Sequence, residues 1–271
     1  MSVIIGTRAH DFPYNDPDSL FSAISSAGYR AVQLACPKSF GWKYPLNDEQ
    51  AEQIVSSKEK HGISIAVLGC YVEIADPDKD RRLIAVETYI NALKTAKDIG
   101  AFCVGTETTH LHGEVSGQTA ALDRLTDSVL RMADAAEKFG VNMGIEPVFG
   151  QTLATPELAC ELKYRADSKR LRWIWDAINL LDPNDESSPL LSRQQNTARL
   201  LGTDIIAMHI KDVKYKGLGE KKDMPLFEGE YDWAYPFRWA AEQKQMFVLR
   251  EHALPERSKF EIDGMTRLLK L

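Results

Sequence analysis

The feature that most limits how this chain can fold is a recurrence. A short apolar run, a polar loop and a longer stretch of helical periodicity follow one another along the whole length. Strand-like runs fall at 3–7, 31–35, 64–68, 102–106, 141–146, 171–176, 205–210 and 247–251. Eight units in 271 residues average about 34 residues each, the size of one strand with one crossover helix. Asp16-Pro17, Asp76-Pro77 and Thr155-Pro156 each set a capping side chain before a proline, which needs no N–H in the first helical turn. Asn47-Asp48-Glu49 and Ser188-Pro189 repeat the signal more weakly. Gly28, Gly62, Gly100, Gly140 and Gly202 stand just before the next strand, where helices end in a left-handed residue. The run 81–99 carries Leu83, Val86, Tyr89, Ile90, Leu93 and Ala96 at helical spacing.

Alternating strands and helices define an α/β chain, either a closed (β/α)8 TIM barrel or an open doubly wound sheet. An open sheet with nucleotide affinity shows a glycine-rich turn after its first strand. Here that turn reads Thr7-Arg8-Ala9-His10-Asp11, without glycine. The expectation is a TIM barrel, one domain spanning 1–271, with no linker between dissimilar halves. The least regular stretch, 214–230, holds Gly217, Gly219 and Gly229 and reads as a polar functional loop.

Composition excludes several function classes. A net charge of −6 and the lack of a long basic run argue against a nucleic-acid partner. No apolar run reaches the roughly 20 residues that span a bilayer, so no membrane partner is expected. Met1-Ser2-Val3-Ile4-Ile5-Gly6 lacks the basic and apolar regions of a secretory signal. Cys36, Cys70, Cys103 and Cys160 are far apart and read as reduced, buried thiols, consistent with a cytoplasmic location.

The chemistry gathers at strand ends. In 141–146, Val141, Met143 and Ile145 alternate with Asn142, Gly144 and Glu146, so the run closes on a carboxylate sharing the small, polar face. A buried, unpaired carboxylate is very costly, so Glu146 needs a partner. Three later runs also end in a titratable group, Asp176, His209 and Glu251, spaced 30, 33 and 42 residues apart. Parity puts Ala207 and Ile205 on the face of His209, Phe247 and Leu249 on that of Glu251, and Ile174 and Arg172 on that of Asp176, turning Trp173 and Trp175 toward the helices. Barrel active sites lie at the carboxyl-terminal rim, so four consecutive strands would bring these residues to one ion. Three carboxylates and an imidazole favour a hard divalent metal: Mn2+ first, or Mg2+, with Co2+ and Zn2+ also accommodated.

Gly144-Ile145-Glu146-Pro147, Trp175-Asp176-Ala177-Ile178-Asn179, Met208-His209-Ile210-Lys211-Asp212, Gly229-Glu230-Tyr231-Asp232-Trp233 and Leu249-Arg250-Glu251 together resemble the xylose isomerase-like barrels over essentially the whole chain. That superfamily includes sugar isomerases, ketose 3-epimerases, inosose dehydratases and endonuclease IV-type nucleases. The resemblance implies that Glu146, Asp176, His209 and Glu251 bind one divalent metal and that Glu146 and Glu251 form an acid–base pair. It also implies a tendency to form homo-oligomers. Two departures narrow the choice. Nucleases of this kind need a histidine where Asn179 stands and another after the seventh strand, where 217–230 has none. Epimerases of free ketohexoses also tend to place a histidine at the Asn179 position.

Other rim residues weigh less. Arg8, His10, Glu107 and Lys211 leave strands at the same edge and are candidate substrate contacts with Asn179, although Glu107 reads sooner as a salt bridge within the barrel. His110 and His112 read as rim or ordinary loop histidines. Trp42, Tyr44, Tyr71 and Trp233 read as wall packing sooner than as sugar platforms. The expected activity is a metal-dependent isomerase or epimerase of a small polyhydroxylated carbonyl compound, a ketose or a keto-cyclitol. Glu146 and Glu251 would move a carbon-bound proton through an enediolate. A lyase that eliminates water from the same enediolate is the nearest alternative. A barrel that binds a metabolite without turning it over is the alternative of another class.

Overall fold

The computed structural model describes residues 2–111, 117–182, 189–215 and 221–270. Its centre is a closed barrel of eight parallel strands: β1 (Ser2–Arg8), β2 (Ala31–Leu34), β3 (Ser64–Gly69), β4 (Cys103–Thr106), β5 (Asn142–Ile145), β6 (Leu171–Asp176), β7 (Ile205–Ile210) and β10 (Gln245–Arg250), which pairs back to β1. Around it lie α1 (Pro17–Ser26), α2 (Cys36–Ser39), α3 (Asp48–His61), α4 (Lys79–Ile99), α5 (Gly117–Phe139), α6 (Pro156–Ala166), α7 (Leu190–Leu201), α8 (Ala234–Ala241) and α9 (Ser258–Leu268). Among the described residues, no helix is long and apolar enough to cross a membrane.

Capping chemistry sets the helix starts. Asp16 accepts from the Ser19 amide and Thr155 from Leu158, and Asn47 forms a reciprocal box with Gln50. The Asp76-Pro77 signal is displaced by two residues. Asp78 caps α4 by accepting from the amides of Asp80 and Arg81, while Asp76 is occupied by the Asp78 amide and the Arg81 guanidinium. Ser188 lies outside the described residues, and α7 begins after Pro189. Gly62 and Gly100 close α3 and α4 at φ 64° and 67°, a conformation that a Cβ disfavours.

Two cores separate inside from outside. Ala31, Ala66, Val67, Cys103, Ile174, Ala207, Phe247 and Leu249 fill the barrel, and a much larger apolar layer lies between strands and helices. Trp173 and Trp175 sit in that outer layer, with Trp175 against Trp239 of α8 at 5.4 Å between ring centroids. Burying each indole is worth roughly 4–6 kcal/mol at 150–250 Å² and 25 cal/mol/Å². A one-residue slip of β6 would forfeit both and turn Asp176 outward, so the tryptophans fix its inward direction. At Gly144 a Cβ would meet Ile174 and Cys103 at 3.2 Å, so the missing side chain makes room for Ile174 beneath the site.

The strand β7 departs from simple alternation. Trp173 pairs with Ile205 but Ile174 with Ala207, leaving Ile206 as an extra residue. Ile205 therefore packs with the outer core, not on the face of Ala207 and His209 as alternation suggests. The same bulge brings Asp176 directly opposite His209.

The 214–230 stretch is not wholly irregular. β8 (Asp212–Tyr215) and β9 (Lys221–Met224) form an antiparallel hairpin whose connecting residues, Gly217 and Gly219 among them, lie outside the described set. The Asp212 carboxylate gathers the excursion by accepting from the amides of Val213, Phe227, Gly229 and Tyr231. The four cysteines are free; burial pushes the Cys36 and Cys70 thiols up to about 12, so they carry no ready thiolate.

Candidate metal centre and its pocket

Glu146 and Glu251 each stand one residue beyond the end of a strand, β5 and β10, while Asp176 and His209 lie within β6 and β7. Their side chains meet. Glu146 Oε2 is 2.9 Å from His209 Nδ1, and Glu251 Oε1 is 3.7 Å from that same nitrogen. One ligand atom each from Glu146, Asp176 and His209 lies within 4.8 Å of the others. Asp176 Oδ1 accepts from the amides of Ile178 and Asn179 at 2.9 and 2.7 Å, which fixes the carboxylate in its turn. The Asn179 side chain donates to Glu146 Oε1 at 2.9 Å. Lys211 lies among the same groups, its Nζ 2.8 Å from Asp176 Oδ2 and 3.2 Å from Glu251 Oε2.

Three buried carboxylates are tolerable together only with positive charge among them. Burial opposes the charge on His209, yet Glu251 and Glu146 outweigh it and lift the imidazole to about 9. Burial, with Asp176 and Glu251 nearby, raises Glu146 to about 7. Burial would also raise Glu251, but His209, Lys211 and Arg8 hold it down at about 2. The two glutamates thus sit in opposite electrostatic environments a few ångströms apart. The donor set suits a hard divalent cation; in this structure Lys211 and the raised His209 supply the positive charge among the carboxylates. The buried His209 Nε2 has no hydrogen-bond partner.

Beside the cluster opens a cavity of about 350 Å³. Every candidate substrate contact read from the sequence lines it: Arg8, His10, Glu107, Asn179 and Lys211. Their states differ. The Arg8 guanidinium is taken up by Asp11 at 2.7 and 2.9 Å and stands 3.8 Å from Glu251 Oε1, so it faces the glutamate with its fork already engaged. Burial, with Arg8 and Lys38 close by, lowers His10 to about 4, so it is a neutral imidazole, and its buried Nδ1 has no partner. Glu107 accepts from the Gln151 amide at 2.6 Å, a hydrogen bond where a salt bridge was the other expectation. His110 lines the cavity next to Gln151; His112 lies outside the described residues.

The opposite wall was not legible in the sequence. Gln33, 1% exposed, lines the cavity with its Oε1 unpartnered and its amide nitrogen against the Tyr71 hydroxyl. Lys38 holds its ammonium 5.1 Å from the Tyr71 ring centroid. Gln151 ties the rim together, accepting from Thr108 as well as donating to Glu107. Tyr71 is therefore a cavity wall, whereas Tyr44 bridges the Cys36 amide and the Gly69 carbonyl, Trp233 packs on Tyr231 and Trp42 on Phe40.

No curated protein matches the sequence. Among solved structures, a D-tagatose 3-epimerase-like protein superposes with a TM-score of 0.79 at 15% identity, covering 99% of this chain and 98% of that one. A 3-keto-D-glucoside 4-epimerase from E. coli gives 0.75 at 16% identity with both chains fully covered. The IOLI protein with a bound zinc atom gives 0.75 at 15% identity over 99% of this chain and 95% of that one. At such identities the likeness is one of fold. A family model matches residues 21–263, and the chain accordingly belongs to the xylose isomerase-like TIM barrel family.

Proposed function

We propose that this protein is a divalent-metal-dependent isomerase or epimerase of a small polyhydroxylated carbonyl compound, a ketose or keto-glycoside. The observation that carries the reading is the convergence of Glu146, Asp176, His209 and Glu251 beside one polar cavity. Three structural neighbours add support: a D-tagatose 3-epimerase-like protein, a 3-keto-D-glucoside 4-epimerase, and the zinc-binding IOLI protein.

Glu146, Asp176, His209 and Glu251 would hold the ion, which supplies Lewis-acid polarisation of a carbonyl and its neighbouring hydroxyl. The remaining chemistry belongs to the chain. Glu251, faced by Lys211 and Arg8, is the base that takes the proton beside the carbonyl. Glu146, across His209 from it, is the partner that relays a proton to the enediolate. Asn179 orients Glu146 through its amide. Lys211 reaches a substrate oxygen from between Asp176 and Glu251. His10 Nδ1 and Gln33 Oε1, buried and unsatisfied, would meet the substrate's hydroxyls.

A panel of ketoses and 3-keto-glycosides, incubated with protein and Mn2+ in D2O, tests this reading. Wild-type protein is expected to wash deuterium into the carbon beside the carbonyl, and Glu146→Gln and Glu251→Gln to abolish the wash-in while remaining folded. Retained exchange in both variants would overturn the assignment. A dehydrated product would redirect it to the lyase branch of the same chemistry.

A further inference from the structure

Among the described residues, the most deeply buried ion pair near the site lies outside the lining of the cavity. Arg250 and Glu261 are both 0% exposed, and Arg250 Nε and Nη2 meet the Glu261 carboxylate at 2.8 and 3.1 Å. Such a pair is expensive to desolvate, and apolar residues of similar volume usually do as well or better for stability. Its position suggests another use. The third arm of the guanidinium, Nη1, donates to the carbonyl of Glu251. Glu261 in turn accepts from the Leu226 amide at 3.3 Å, tying in the return from β9.

Glu251 needs such help because it lies outside its strand. Immediately after it, His252 turns the chain through φ 57°, a left-handed conformation uncommon for a residue with a Cβ. The segment is held on both sides of that kink. Thr7 donates to the Arg250 carbonyl, the Glu251 amide donates to Ile210, and the Ala253 amide donates to Asp11 Oδ2 at 2.9 Å. The one remaining polar group of Glu251's peptide, its carbonyl, faces the guanidinium. Without Arg250 it would be a buried acceptor with no partner, and without Glu261 the arginine would be a buried, unpaired cation.

We propose that the Arg250–Glu261 pair is a positioning device that fixes the Glu251 backbone, and with it the carboxylate that faces His209 and Lys211. The inference rests on Glu251 belonging to the site proposed above. The double variant Arg250→Met/Glu261→Leu removes the pair without leaving a lone charge, and Arg250→Lys keeps the charge but cannot fork to both partners. Crystal structures of both variants are expected to show the Glu251 carboxylate displaced from its 3.2 Å contact with Lys211 and its 3.7 Å approach to His209. Mn2+ affinity should fall with it, and kcat on whichever ketose is turned over should fall about 10²-fold with little change in KM. A Glu251 carboxylate still at those distances in either folded variant, with unchanged Mn2+ affinity, would overturn the proposal. A wild-type protein that turns over no sugar would sink the proposed reaction alone, because the position of Glu251 in the variants still decides the clamp.

Discussion

The two halves of the rim are built differently. On the β5–β6–β7–β10 side, Glu146, Asp176, His209, Lys211 and Glu251 are all buried and hold one another at 2.8 to 3.7 Å. On the β1–β4 side, His10, Gln33, Lys38, Tyr71 and Glu107 line open cavity, and two buried polar atoms, His10 Nδ1 and Gln33 Oε1, have no partner. The first half is closed on itself through its ion pairs, with His209 Nε2 its own unpartnered atom. The second is incomplete until something polar enters. On the proposed reading the first half carries the chemistry and the second the recognition, and each half should fail in its own way when altered.

The largest effect is expected from the ligands. Asp176→Asn and His209→Ala should each lower Mn2+ affinity by more than about 100-fold, measured by calorimetry, whereas Gln33→Ala and Lys38→Ala should leave it unchanged. A wall variant that loses metal would break the division. Asn179→Ala should be intermediate. It frees Glu146 Oε1 without removing a ligand, so affinity should fall about 10- to 100-fold, the usual range for groups that orient a ligand.

The pH dependence sharpens the same point. An ion must displace protons from Glu146, raised to about 7, and from His209, raised to about 9. Affinity should therefore climb with pH through this window, by about tenfold per unit for each proton released. A flat profile from pH 6 to 9 would show that neither group ligates. The smallest effect belongs to the wall. Each hydrogen bond lost to a substrate hydroxyl is worth about 0.5–1.5 kcal/mol, so Gln33→Ala should raise KM by a few-fold to about tenfold with kcat nearly constant. A collapse of kcat in that variant would move Gln33 into the chemistry.

The halves also differ in how far the sequence exposes them. The acidic arc is legible because each member stands at or next to the end of an apolar strand, and because Trp173 and Trp175 can be buried on only one side of β6. Spacing of about one βα unit then brings the four together. The bulge at Ile206 escapes such reading, since it adds a residue without changing the apolar character of β7. The hairpin strand Lys221–Met224 is nearly all charged, and alternation says nothing there. It is tied down by Lys221 on the Ile178 carbonyl and by Asp223 on His252. Gln33 and Tyr71 meet across 38 residues of chain through a single polar contact, and neither residue type at its position announces the other. Arg250 was visible within Leu249-Arg250-Glu251, but its partner on α9 is fixed only by the helix closing over β10.

The central claim is that one divalent ion joins Glu146, Asp176, His209 and Glu251. Titration of metal-stripped protein with Mn2+, followed by electron paramagnetic resonance, tests it most directly. One tight site per chain is predicted in the wild type, with none in His209→Ala and a distinctly altered signal in Glu251→Gln. No tight site in the wild type, or one that survives His209→Ala unchanged, would contradict the account.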